Sequence, residues 1–374
     1  MIKGGIPIGT AFGIPLRLHY SWFIIFALVT FSLVYGYFPD TYPDWNSATA
    51  IIVGVATSLL FFGSLLAHEL MHSITAQRSG IAIHSITLFV FGGVSQMAEE
   101  PKKPTDELRI ALAGPLTSLL LGVIFGLVWI GLHNTSEIIE SISFWLGWIN
   151  ISLAVFNLIP GFPLDGGRVL RSILWWRSGN IRSATKTASR IGRGVGYLFI
   201  FGGLWLTFGG DWFNGLWLAF IGWFLENAAA GSYRQMALQD ILKGHTVGEI
   251  MTQDCTAVPP DLPIDRLAQE HILTSGRRCF PVVENGKLIG LVSIHNIKAL
   301  PQNLWHARMV RDAMTPFEKM EFVHAGDDLS SVMRMLTEGD VNQLPVVDND
   351  GNIIGMIARD RLLSYISARG ELGM

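Results

Sequence analysis

Six apolar runs of bilayer length constrain this chain more than any other feature. They cover about residues 18–38, 49–72, 110–132, 141–159, 191–209 and 212–230. Each reaches the roughly 20 residues that a helix needs to cross the hydrocarbon core. The segments between them alternate in charge. Lys3 and Arg17 precede the first run, segment 39–48 has no Lys or Arg, and segment 73–109 carries Arg78, Lys102, Lys103 and Arg109. Segment 133–140 is bare again, and segment 160–190 carries Arg168, Arg171, Arg177, Arg182, Lys186 and Arg190. The turn at 210–211 is bare, and Arg234 and Lys243 follow the last run. Basic segments mark the cytosolic side, so six spans with both termini in the cytosol satisfy the pattern. The expectation is an integral membrane protein of the cell membrane. Only 15% of residues are charged, against about a quarter in soluble proteins. A net charge of −3 gives no sign of nucleic-acid binding, so no nucleic acid is expected as a partner. The two cysteines, Cys255 and Cys279, form neither a ligand spacing nor a disulfide framework.

The second run ends in Ala67-His68-Glu69-Leu70-Met71-His72. Two imidazoles four residues apart share one helix face, with a carboxylate between them. That pattern can bind Zn²⁺ and hold a general base beside it. Ionisable residues inside an apolar span are costly, so they default to a functional role. A hydrolytic zinc site within the membrane is the expectation.

A third ligand is needed, and the best candidate is Asp165 in Asn157-Leu158-Ile159-Pro160-Gly161-Phe162-Pro163-Leu164-Asp165-Gly166-Gly167-Arg168. Proline ends the helix here, because it lacks a backbone donor and clashes with the preceding turn. Irregular backbone at membrane depth is tolerated only against protein or a water-filled cavity. The charge alternation also puts Asp165 and the histidine pair at cytosolic helix ends. Two His and one carboxylate leave a fourth position open, as catalytic zinc requires.

His68-Glu69-Leu70-Met71-His72 together with Asn157–Gly166 resembles the site-2 protease family of intramembrane zinc metalloproteases. Ala113-Gly114-Pro115 followed by Ser118 is similar to that family as well. The resemblance covers about residues 1–230 and implies hydrolysis of a peptide bond in a transmembrane segment of a single-span membrane protein. It implies His68, His72 and Asp165 as zinc ligands and Glu69 as general base and acid. It also implies that Asn157 holds the substrate or the oxyanion.

The stretch 81–96 is β-branched and aromatic around Gly92-Gly93 and too short to span. It reads as one or two strands, a short re-entrant β segment. Its edge would capture unwound substrate by strand addition, or the hairpin would simply close the cavity.

From about residue 240 the chain becomes more polar and repeats itself. Val247-Gly248-Glu249-Ile250-Met251-Thr252 matches Val310-Arg311-Asp312-Ala313-Met314-Thr315, and Gly290-Leu291-Val292-Ser293 matches Gly355-Met356-Ile357-Ala358, at offsets of 63 to 65 residues. This resembles a tandem of CBS (cystathionine-β-synthase) domains, a cytosolic α/β module that often binds adenine nucleotides and often dimerises. The division is then a protease domain over 1–235 and CBS repeats over 245–305 and 308–370. In that family a Ser or Thr three residues after the glycine, and an Asp or Asn six after, contact ribose and phosphate. The first repeat has Ser293 and Asn296 there, and the second has Ala358 and Arg361. Ser293 and Asn296 are the candidate residues for ATP, ADP or AMP, and a purely structural dimerisation module, forming a homodimer, is the alternative. For the whole chain the rivals are a CBS-gated membrane transporter, although no inverted repeat is visible, and a catalytically inactive membrane scaffold. Trp175-Trp176 with Arg171 and Arg177 reads as an interfacial amphipathic helix. His19 and His133 suit span ends, and Glu226 either pairs with the basic loop or faces headgroups.

Overall fold

A computed structural model describes residues 5–372 apart from 91, 133, 243, 254, 276 and 340, and leaves aside the side chains of 235–240, 338 and 370–372. Lys3, Phe91, His133 and Lys243 therefore lie outside the described residues. The chain forms two compact units, Met1–Arg234 and Gln235–Met374.

The first unit is built on helices α1 (Ser21–Thr41), α2 (Ser47–Arg78), α3 (Pro104–Leu132), α4 (Glu137–Asn157), α5 (Asp165–Ser178), α6 (Ile181–Phe208) and α7 (Trp212–Leu242). Among the described residues, α1 to α4 and α6 are long and apolar enough to cross a membrane. The sixth apolar run falls in α7, which is not among those five. Local chemistry sets the ends. Asn46 caps α2 by accepting the Thr49 N–H at 2.9 Å, and Gly80 stops it at φ +82°. The Pro160–Pro163 segment separates α4 from α5, and Asp165 opens α5, where a carboxylate complements the helix dipole. Helix α6 starts some ten residues before its apolar run, because Asn180 accepts the Ser183 N–H at 3.1 Å and caps a basic first third. Glu226 of α7 accepts from Arg193 of α6 at 2.7 Å.

A four-stranded sheet lies against the second half of α2. Its order is β1 (Ile6–Ala11), β2 (Ile14–Leu18), β3 (Ile83–Phe89), β4 (Gly92–Met97). The strands expected in 81–96 are the hairpin β3–β4. The N-terminal hairpin was not expected, and β2 joins β3 in parallel with Leu16 opposite Ile86 and Leu18 opposite Leu88. Ile14 and Ile86 are fully buried and pack with Leu66 and Leu70 of α2. That packing puts β4, an edge strand, beside Glu69.

Among the described residues the second unit contains two three-stranded sheets, the first built from two strands of the first repeat and one short strand of the second. The first joins β5 (Cys279–Glu284), β6 (Lys287–Ser293) and β7 (Thr315–Pro316). The other joins β8 (Val323–His324), β9 (Gln343–Val347) and β10 (Ile353–Ala358). The cores interleave along the chain. Val247 and Ile250, at the start of the first repeat, pack with Leu344 and Ile357 of the second. Val310, at the start of the second, packs with Val258 and Val282 of the first.

Candidate metal centre

Helix α2 places His68 and His72 on one face, and both are buried at 3% and 6% exposure. Their Nε2 atoms are 3.1 Å apart. Asp165 Oδ2 stands 3.2 Å from His68 Nε2 and 3.0 Å from His72 Nε2. Four ligands at about 2.0–2.1 Å around a tetrahedral zinc stand roughly 3.3–3.4 Å apart, so this triangle is close to the required size. Among the described residues it is the only group of three His, Cys, Asp or Glu donors that converges in this way.

The outer hydrogen bonds aim the donors. His72 Nδ1 lies 2.6 Å from Ile110 O. A carbonyl only accepts, so Nδ1 carries the hydrogen and neutral His72 presents an Nε2 lone pair inward. His68 Nδ1 is held by Ser118 Oγ at 2.9 Å. Lone pairs of two imidazoles and a carboxylate pointing at one another repel unless a cation sits among them. The donor set therefore fits zinc, with one position open. Gly114 of α3 makes room: a Cβ there would meet Nε2 of both histidines.

Glu69, next to His68, packs its side chain against Gly93 of β4, where an added Cβ would lie 2.8 Å from its Cδ. Ser73 Oγ donates to Ser95 Oγ at 2.9 Å and ties the same strand to α2. Asn157 ends α4 half-buried, and its Nδ2 donates to Leu153 O at 3.0 Å within its own helix. No hydrogen bond joins it to the three donors. Arg168 Nη1 lies 3.9 Å from Asp165 Oδ1.

Some residues around the centre had no sequence reading. The Ile110 carbonyl and Glu107 are examples, Gly93 was read only as part of the β segment, and Gly114 and Ser118 entered only through the family resemblance. Glu107, Gly114 and Ser118 share a helical spacing as small or polar residues on one face of α3, whereas the Ile110 carbonyl has no sequence signal. Arg171 corrects an expectation. It is 8% exposed and paired with the fully buried Glu107, so only the Trp176 side of α5 fits an interfacial face.

In the second unit Ser293 and Asn296 sit where β6 meets its following helix. Asn296 Oδ1 accepts from the Ser293 N–H at 2.9 Å, and Asn296 Nδ2 donates to Thr315 Oγ1 at 3.2 Å. Neither lines the nearby cavity of about 400 Å³, which is bounded by Thr252, Thr256, Arg277, Gln343, Arg361 and both cysteines. Burial pushes the Cys279 thiol up to about 12, so it faces that cavity uncharged.

Two histidines and one carboxylate with a fourth position open, beside a glutamate on the same helix, fit the class of metal-dependent hydrolases. Peptidase family M50 matches residues 56–139 and 130–202, and the CBS domain matches residues 247–302 and 310–368. "Putative zinc metalloprotease sll0528" of Synechocystis sp. is 34% identical over 368 residues, covering 98% of this chain and 96% of the relative. "Zinc metalloprotease MJ0392" of Methanocaldococcus jannaschii is 31% identical over 355 residues, covering 95% and 94%. The solved site-2 protease from Methanocaldococcus jannaschii is 31% identical, covers 62% of this chain and 96% of its own, and superposes with a TM-score of 0.42. The chain belongs to Peptidase family M50, the site-2 protease type of zinc metalloprotease, and carries a tandem of CBS domains. It is an integral membrane protein.

Proposed function

We propose that this protein is an intramembrane zinc endopeptidase that cuts a membrane-anchored, single-span protein in or near its transmembrane segment. The observation that carries this is the convergence of His68, His72 and Asp165, with Glu69 one residue along the same helix. The three donors would hold the metal. Zinc, when bound, supplies Lewis acidity that acidifies water and polarises a carbonyl. Glu69 takes the proton of the attacking water and passes it to the leaving amine. The Asn157 amide has two hydrogens, one committed to Leu153 O, and offers the other to the substrate carbonyl as negative charge develops. Six spans, with α7 as the last, put both termini in the cytosol and the centre near the cytosolic face. The test is cleavage of a generic single-span substrate by purified protein with bound zinc quantified. Absence of zinc from carefully prepared protein would move the scaffold or transporter reading to the front.

A transmembrane helix must unwind before it is cut, and an open strand edge suits the unwound segment. Strand β3 is paired on both sides, so β4 is the edge that offers unpaired groups. Proline at alternate positions of 94–97 is expected to slow cleavage severalfold at one parity and little at the other, read by substrate cleavage with zinc content unchanged. Equal tolerance at every position would show that the edge does not bind substrate.

Regulation follows from the CBS tandem, which we read as a cytosolic adenine-nucleotide site and homodimer contact. Ser293 and Asn296 occupy the family's ribose- and phosphate-binding positions, and the cavity beside Arg277 and Arg361 adds charged donors for phosphate. Calorimetry with ATP, ADP and AMP is expected to show binding. Ser293→Ala with Asn296→Ala, compared with Arg361→Ala, then tells which end is used. No heat and no stabilisation would leave a structural dimerisation module.

A further inference from the structure

One face of α3 carries a stripe of buried residues. Glu107, Ile110, Gly114 and Ser118 recur at intervals of three and four. Three of them serve the metal centre: Ile110 bonds His72, Ser118 bonds His68, and Gly114 yields space to both Nε2 atoms. The fourth, Glu107, is fully buried and turns to another helix. Its Oε1 accepts from Nε and Nη2 of Arg171, the former at 2.7 Å. The Arg171 guanidinium also lies over the Phe162 ring at 5.2 Å, and the adjacent Ser172 donates to Pro104 O at 2.9 Å.

Arg171 is on α5, the helix that Asp165 opens. Helices α3 and α5 therefore meet at two matched places, Glu107 with Arg171 and Gly114 beside the donors that Asp165 completes. Seven residues of α3 span ~10.5 Å and six of α5 span ~9 Å, so antiparallel helices in this register satisfy both contacts. A buried ion pair adds little net stability over apolar side chains of equal volume, but in some proteins it selects one arrangement over others. Segment 158–164 before α5 is irregular, so no continuous helix carries the position of α4 into α5, and tertiary contacts such as this pair and the close approach of Gly166 and Gly167 to residues 158–162 set where α5 lies. A ligand misplaced by about 1 Å no longer closes the triangle.

We propose that the Glu107–Arg171 pair is a positioning clamp that fixes the register of α5 against α3 and so delivers Asp165 to His68 and His72. The proposal rests on the zinc reading of those three donors. Neither clamp residue touches the reacting atoms.

The test compares full-length wild type, Glu107→Gln and Arg171→Lys in detergent. Zinc affinity is measured by chelator competition, and amide hydrogen exchange of each helix is measured in zinc-free protein. Glu107→Gln is expected to bind zinc at least tenfold more weakly and to exchange α5 faster while α1 and α4 stay unchanged. Excess zinc restores its cleavage, and Arg171→Lys, which keeps the charge but loses the fork, falls between. Unchanged affinity and exchange in a folded variant would overturn the clamp. So would faster exchange across every helix, which marks a general structural role. Should Glu107→Gln not fold, Arg171→Lys carries the same two readouts. Wild type that binds no zinc overturns the zinc reading, and exchange of α5 then decides the clamp alone.

Discussion

Glu69→Gln is expected to retain about one zinc per chain while cleavage falls by about 10²–10⁴-fold, the usual contribution of a positioned general base. The reason is local. Glu69 is not one of the three converging donors, so replacing it leaves the triangle of His68, His72 and Asp165 in place. Glutamine has the same length and keeps the packing against Gly93, but it cannot take a proton from water. The measurement is single-turnover cleavage of a single-span substrate with zinc quantified in both proteins. Wild-type cleavage by the variant would remove Glu69 from the chemistry. Loss of zinc together with activity would instead make it part of the metal's support.

Gly114→Ala is expected to abolish zinc binding in a protein that still folds, although Gly114 bears no chemical group. The added Cβ meets Nε2 of both histidines, the atoms that must face the metal. Either α3 moves away from α2 or the imidazoles rotate, and both outcomes break the hydrogen bonds with the Ile110 carbonyl and Ser118 Oγ that aim them. Loss of such support alone weakens metal binding by about 10–100-fold, and a direct collision with the donors exceeds that. Gly126→Ala on the same helix is the control, because its Cβ would enter open space, and it is expected to bind zinc and cleave as wild type does. Normal zinc affinity in Gly114→Ala would mean that α3 stands farther from the histidines than the fold places it.

The tandem repeat shows how sequence similarity and packing can diverge. The matches between Val247–Thr252 and Val310–Thr315 mark two equivalent units in the sequence. In three dimensions the first segment of each repeat fills the core of the other, with Val247 beside Leu344 and Val310 beside Val258. Burial of apolar side chains is non-directional, so two similar half-cores can exchange their opening segments with little change in buried area. The repeat period cannot reveal such an exchange.

The same division holds in the membrane unit. Helix periodicity and length are local properties, and they were enough to put His68 and His72 on one face, to mark six apolar runs, five of which lie in helices long and apolar enough to span, and to end α4 shortly before Pro160. Asp165 was also legible, because a carboxylate at a broken helix end is costly unless it is used. Tertiary structure alone decided the rest. The parallel pairing of β2 with β3 joins residues some 70 positions apart, and Arg17 opposite Thr87 carries no pattern that announces it. Glu107 had no reading in the sequence, and Arg171 read as one basic residue of an interfacial helix. Their burial against each other depends on how α3 and α5 cross. The Ile110 carbonyl and the missing side chain of Gly114 have no signature of their own, because they matter through the space and the acceptor they present once three helices have met.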